Sequence, residues 1–329
     1  MKNHRFLAIL FMTILIISTI GITTSLASRK IIVSGASIGS TTNLAASAIA
    51  DIAQNCCGIL PTVVVNPTTA QVDVLQHREA DISTTTGYLT FDAYHGLGNY
   101  DGNPFKEIRS LMQRPSTQMH IVVLKESSIK EIKDLVGKRL AFGKPGSASD
   151  VFGKDMLGAI GIIDDLGSIM NLSAGDIQAK LLTNQIDVTI LAGTSPYSTI
   201  TEISLSSRNG IRMIGLTKEE IASVIEKVPY FMPNKIPAVY KGMEENVSTV
   251  GYSNIYSCVD LSEEEAYCLT KNFWEHLDTV ELYWSLLGEL TLEEVSLIKH
   301  IAPWHIGAYR YYQEVGLDIP PEMIPPEAK

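Results

Sequence analysis

Four short stretches of this chain carry the residue types that could do chemistry, and they share one design. Each is a Gly/Ser/Thr turn that follows a run of β-branched or apolar residues. The first contains Gly35, Ser37, Ser40, Thr41 and Thr42. The second contains Thr85 and Thr86, followed by Gly87. The third contains Gly146, Ser147 and Ser149. The fourth contains Thr194 and Ser195, followed by Pro196. Where such a turn opens a helix, free N–H groups and the positive end of the helix dipole favour an anion. The hydroxyls add hydrogen bonds, and glycine lets a ligand approach the main chain. A serine or threonine that merely caps its helix is the ordinary alternative at each position. Four such turns, none with a charged residue inside, point to a neutral polar pocket for a small anionic or zwitterionic ligand.

The first turn also matches G-x-S-x-G (Gly35, Ser37, Gly39), the nucleophile-elbow pattern of α/β hydrolases. His300 or His305 would then be the base. The match falls on the first strand after the N-terminal segment, and no HGGG-type motif accompanies it. Ser37 therefore reads as a turn or ligand-contact serine first, with a secreted serine hydrolase as the alternative. There is no H-E-x-x-H, no Cys/His cluster at metal spacing and no phosphate-binding G-x-x-x-x-G-K-[ST]. No metal, no cofactor and no catalytic residue is expected.

The elements that must position these turns alternate. Strand-like runs at 30–34, 62–65, 80–84, 119–124, 139–143 and 186–192 are separated by helical spacing at 42–54, 71–78, 129–135, 148–160 and 174–184. This rhythm implies an α/β fold with mostly parallel sheets flanked by helices. In such sheets the turns at the carboxyl ends of strands face the ligand crevice. The C-terminal third reads differently, as a strand pair at 247–251 and 255–259 followed by amphipathic helices at 263–277 and 290–301. No linker separates two independent domains, so the helical tail is expected to complete a lobe begun near the N-terminus.

The chain has 329 residues, a net charge of −10 and 45% apolar residues. Acidity argues against a general nucleic-acid binder, which needs a basic face for phosphates. Residues 1–27 have the layout of a secretory signal: Lys2 and Arg5, an uncharged apolar run, then Ser25-Leu26-Ala27 before a cut after Ala27. An uncleaved anchor is the alternative. The expected location is periplasmic or otherwise extracytoplasmic. Disulfides are then permitted. Of the four cysteines, Cys56 and Cys57 are adjacent, and neighbours rarely reach bridging geometry. Cys258 could bridge Cys268, with free buried thiols as the alternative.

Two segments resemble a known family. Val228-Pro229-Tyr230-Phe231-Met232-Pro233 with Ile236-Pro237-Ala238-Val239-Tyr240, and Pro303-Trp304-His305-Ile306-Gly307-Ala308-Tyr309-Arg310-Tyr311-Tyr312-Gln313-Glu314, resemble signatures of the TAXI family. Members of that family are extracytoplasmic solute receptors of TRAP transporters. Further matches at Asp92-Ala93-Tyr94-His95-Gly96, Asp134-Leu135-Val136-Gly137-Lys138-Arg139, Pro145-Gly146-Ser147, Asp187 and Gly193 follow in order. The resemblance implies a two-lobed periplasmic binding protein fold of type II, with the ligand cleft between lobes and two crossing strands, near 119–124 and 247–258, as the hinge. It implies lobe I from 28–120 and 251–329, and lobe II from 121–250. It implies a small carboxylate or amino-acid solute such as glutamate, glutamine or 2-oxoglutarate, delivered to TRAP transporter membrane subunits or, in another reading, reported to a sensor kinase. The chain departs from the family where a tyrosine pair would stand, at Thr41-Thr42-Asn43, and around Asn66-Pro67-Thr68-Thr69-Ala70. Those departures imply a solute bulkier or more polar than glutamate.

Overall fold

The structure, a computed structural model, describes residues 29–299 and 301–329. Residues 1–27, expected to be a secretory signal, and His300 lie outside the described residues. Ten strands are described: β1 (Lys30–Gly35), β2 (Leu60–Val65), β3 (Ile82–Thr86), β4 (Arg109–Leu124), β5 (Arg139–Phe142), β6 (Ser168–Asn171), β7 (Val188–Gly193), β8 (Ile211–Met213), β9 (Met232–Ile236) and β10 (Val247–Cys258). The helices described are α1 (Thr41–Cys57), α2 (Asp73–Gln76), α3 (Gly87–His95), α4 (Ala148–Ile160), α5 (Ala174–Leu182), α6 (Ser198–Ser206), α7 (Lys218–Lys227), α8 (Glu263–Glu275), α9 (Leu277–Glu281), α10 (Leu292–Val295) and α11 (Ile306–Glu314).

The strands join one sheet in the order β2-β1-β3-β10-β4-β7-β5-β6, with β8 on β4 and β9 on β10. The parallel pairs lie toward its two ends, β2-β1-β3 and β7-β5-β6. Between them β10 and β4 run antiparallel to each other and to β3 and β7. These two strands carry the chain from one lobe to the other and back. β4 has 16 residues, long enough to reach about 50 Å, and is buried along nearly all of it. The expected strand pair at 247–251 and 255–259 is one continuous strand, β10. A shift of register between Tyr252 and Asn254 bends it without ending it.

Each lobe has its own core. In the first, Ile31, Val33, Ile49 and Ile52 pack with Tyr256, Leu269, Phe273 and Tyr312, so β1 and α1 meet elements from the far end of the chain. In the second, Met119, Ile121, Phe142, Phe152, Met156 and Ile190 come mostly from one stretch of sequence. The lobes touch through Tyr88 at the start of α3, whose ring lies 4.5 Å from Phe152 and 5.9 Å from Tyr252.

Three expectations are corrected. The helix expected at 71–78 is only α2, because Gln71 turns inward and donates to the Gly35 carbonyl while accepting from Ser34 and Ser83. The helix expected at 290–301 is only the single turn α10. The disulfide joins Cys57 to Cys268, tying the end of α1 to α8. Cys258 is a buried free thiol in β10, and Cys56 is an exposed one. Burial pushes the Cys258 thiol far up, so it stays protonated.

Candidate functional site

All four Gly/Ser/Thr turns stand at carboxyl ends of strands. The first joins β1 to α1, the second β3 to α3, the third β5 to α4 and the fourth β7 to α6. Their side chains differ in what they are free to do. Thr85 and Ser149 are occupied: Thr85 Oγ1 shares hydrogen bonds with Ser257 at 2.6 Å and Thr90 at 2.8 Å, and Ser149 Oγ accepts from the Ala192 N–H at 3.0 Å. Ser40 and Ser147 cap α1 and α4, accepting from the N–H groups of Asn43 and Asp150. Thr42 bonds the Ser40 hydroxyl at 2.9 Å. Ser37, Thr41 and Gly146 are exposed. Gly35 is where α1 closes on β1: a Cβ there would meet Ala46 at 2.9 Å. Thr86 Oγ1 is buried without a hydrogen bond.

Thr194 and Ser195 are the two predicted residues that line an open cavity of about 530 Å³. Its floor is Gln113, Ser116 and Gln118 on β4. One wall is Met232, Asn234 and Pro237 in and after β9, and the other is Leu286, Leu290 and Glu294 from the C-terminal segment. The cavity thus spans both lobes across the crossing strands. Its size fits a small solute.

Ser195 is held rather than reactive. Its N–H donates to Gln118 Oε1 at 2.9 Å, and its hydroxyl lies 2.9 Å from His120 Nε2 and 3.4 Å from the Tyr240 hydroxyl. Burial pushes His120 down to about 4, so the ring is neutral at ordinary pH. Its other nitrogen lies 3.1 Å from the Gln118 carbonyl, and among the described residues no carboxylate bonds it. The network fixes the turn after β7. The Gln118 carbonyl orients the ring in place of a triad's carboxylate, and the Ser195 N–H is already used. Burial raises Glu294, and Gln113 Oε1 is buried without a hydrogen bond. A solute that donates a hydrogen bond would satisfy that oxygen.

The hydrolase alternative on Ser37 finds no base among the described residues. Its hydroxyl has no histidine partner, and His305 caps α11 by accepting from the Gly307 N–H while its Nε2 meets the Leu261 carbonyl at 3.0 Å. The described residues hold no group of three or more His, Cys, Asp or Glu side chains that could bind a metal. No helix among them is long and apolar enough to cross a membrane.

The sequence reading passed over Arg114. It sits mid-way along β4, opposite Asn254 of β10, and is 2% exposed. Nη2 donates to the Thr85 carbonyl at 2.6 Å and Nε to the Ile255 carbonyl at 3.4 Å, with the guanidinium 5.7 Å from the Tyr256 ring centroid. Burial brings it down to about 10, which leaves it charged at neutral pH. An arginine inside a buried strand was the signal. It was missed because the polar residues of 109–118 masked the strand.

The segments singled out for their family resemblance divide between two tasks. Met232, Pro233 and Pro237 line the cavity, and Tyr240 braces Ser195. Trp304 and Tyr312 are core residues of the first lobe.

Residues 35–316 match the model of the NMT1-like family. Among solved structures, a TctC solute-binding protein from Polaromonas, without ligand, is 12% identical with a TM-score of 0.52, over 80% of this chain and 89% of that one. The probable amino-acid ABC transporter extracellular-binding protein ytmK of Bacillus subtilis is 13% identical with a TM-score of 0.47, over 78% and 96%. The periplasmic aliphatic sulphonate-binding protein SsuA of Escherichia coli is 14% identical with a TM-score of 0.45, over 88% and 84%. At 12% identity the likeness to the Polaromonas solute-binding protein is one of fold alone.

Proposed function

The chain belongs to the NMT1-like family, and from that premise we propose that it is an extracytoplasmic solute receptor for a membrane transporter. More narrowly, it serves a TRAP transporter of the kind that uses TAXI-family receptors, and binds a small carboxylate or amino-acid solute such as glutamate, glutamine or 2-oxoglutarate. Lobe I is 28–120 with 251–329, lobe II is 121–250, and export uses residues 1–27. The observation that carries the reading is the cavity of about 530 Å³ laid across the two crossing strands and walled by both lobes. A solute that touches both walls has contacts in a closed form that an open form lacks, and it shifts the equilibrium by that difference. The closing motion is a hinge about β4 and β10.

A thermal-shift screen over amino acids, 2-oxo acids and dicarboxylates tests this. A solute at a hundredfold excess over Kd stabilises the native state by about 2.7 kcal/mol. One chemical group of hits is expected, and the same solutes should shrink the radius of gyration in solution scattering. A flat screen on demonstrably ligand-free protein rejects the receptor.

A further inference from the structure

A guanidinium as deep as that of Arg114 ordinarily has a carboxylate beside it, because an unpaired buried charge is costly. Here its partners are two main-chain carbonyls and the face of Tyr256. Arginine offers five N–H donors in a planar fork. Among the described residues Nη1 has no hydrogen-bond partner, and no acidic side chain pairs with the group.

Its position is as informative as its isolation. Thr85, which takes one of its bonds, is at the carboxyl end of β3, directly before the turn into α3. Tyr256, on which the guanidinium lies, donates its hydroxyl to the Ala45 carbonyl in α1. Helix α1 has 17 residues and no acidic side chain in its first turn. Arg114 does not itself line the cavity, but its neighbours Gln113 and Pro115 do, and Tyr256 links its guanidinium to the opening turns of α1.

We propose that Arg114 is the charge anchor of the bound solute: its free donors take a singly charged oxyanion, a carboxylate or a sulfonate, in two parallel hydrogen bonds. The proposal rests on the receptor reading and narrows it to anions. It also explains why the protein tolerates a buried charge without a counter-ion of its own, since the solute supplies one.

The test is isothermal titration of the full chain with glutamate, 2-oxoglutarate, succinate and taurine, and with the neutral diamides of glutarate and succinate. At least one anion should bind, and the diamides should bind at least about thirtyfold more weakly, the cost of leaving a buried charge unpaired. Arg114→Gln should lose at least about thirtyfold for that anion, and Arg114→Lys, which keeps the charge but not the fork, should recover part of it. Taurine against the carboxylates tells sulfonate from carboxylate. A folded Arg114→Gln protein that binds the anion as well as wild type overturns the anchor and leaves the receptor standing. So does a diamide that binds wild type as tightly as the acid, an arm that needs no variant to fold. Silence from every probe overturns the anchor; it overturns the receptor reading too only if the thermal-shift screen is also flat.

Discussion

Two helix starts at the cleft are built to one pattern and differ by one charge. In the first lobe, Gly39-Ser40-Thr41-Thr42-Asn43 opens α1. In the second, Gly146-Ser147-Ala148-Ser149-Asp150 opens α4. Gly39 and Gly146 both have left-handed φ, 80° and 73°, which a side chain would resist. Each serine caps its helix, and the residue three later reaches back to the glycine N–H: Asn43 Oδ1 at 3.4 Å, Asp150 Oδ2 at 2.9 Å. Asp150 also binds Asn171 and Lys154. Burial, the largest influence on its carboxyl, pushes it up, but Lys154, the Gly146 N–H and Asn171 together hold it below the usual range. The α4 start thus carries its own anion, while the α1 start is neutral and has an uncompensated arginine nearby. The same capping motif is thus neutralised by its own carboxylate in one lobe and left without a charge in the other.

The lobes also differ in how they are tied, and the largest expected effect tests that. The Cys57–Cys268 bridge spans a sequence separation of 211 residues and joins two half-buried cysteines on first-lobe helices. On the chain-entropy model, closing so long a loop contributes about 5 kcal/mol. Replacing both cysteines with serine should lower the thermal midpoint and raise hydrogen exchange in α1 and α8, with α4 and β7 little changed. Equal loss of protection in both lobes would break the distinction.

Exchanging the charge between the two helix starts comes next. Asp150→Asn should cost about 2 kcal/mol, the scale of hydrogen bonds to a charged group, and leave anion affinity unchanged. The sign follows from its depressed folded value: wild-type Asp150 contributes stability above its unfolded value, lost as pH falls through the folded one. Asn43→Asp should instead weaken anion binding, by about tenfold, by placing a negative charge at the open start. Denaturant melts and titration calorimetry read both variants. If Asp150→Asn is the one that alters affinity, the anion sits on α4.

The smallest effect is at the contact between lobes. Burial raises the Asp92 carboxyl on α3, and Asp155 on α4 raises it further. A raised folded value means the native state holds the proton more tightly than the unfolded one. Its contribution is full below the unfolded value and is lost as pH rises through the folded value. Asp92→Asn should flatten the stability profile in the weakly acidic range by a few tenths of a kcal/mol, in line with a half-buried site. An unchanged slope would mean that the Asp92 carboxyl holds its proton alike in the folded and unfolded chain.

What the sequence showed depended on whether burial and apolarity coincide. In β1, Ile31 and Val33 face a core, and the strand was legible. The α4 start was legible because its cap is local. In β4 the stretch through Ser110, Gln113, Arg114, Thr117 and Gln118 is polar yet buried, so a hydrophobic pattern began only at Met119. Gln113 and Gln118 of that stretch line the cavity, so the part of the strand that meets the cavity was the part least like a strand. The fourth turn was found and does line the cavity, whereas Thr85 looked identical in sequence and proved to be tied into the core by Ser257. Which cysteine meets Cys268 depends on α1 lying against α8, a contact between elements some two hundred residues apart that no local spacing encodes.

That same contact has a consequence for a chain made from its amino end. The apolar face of α1, with Ala46, Ile49 and Ala53, is covered in part by Leu269 and Phe273 of α8. Until those residues have been synthesised, α1 has only β1 and its near neighbours to cover it, and Cys57 has no mate. The strands β5 to β8 can meanwhile pair with one another and with β4, which has already been made. The middle of the polypeptide can mature before its beginning does, and the beginning stays adhesive until nearly the last sixth of the message has been read.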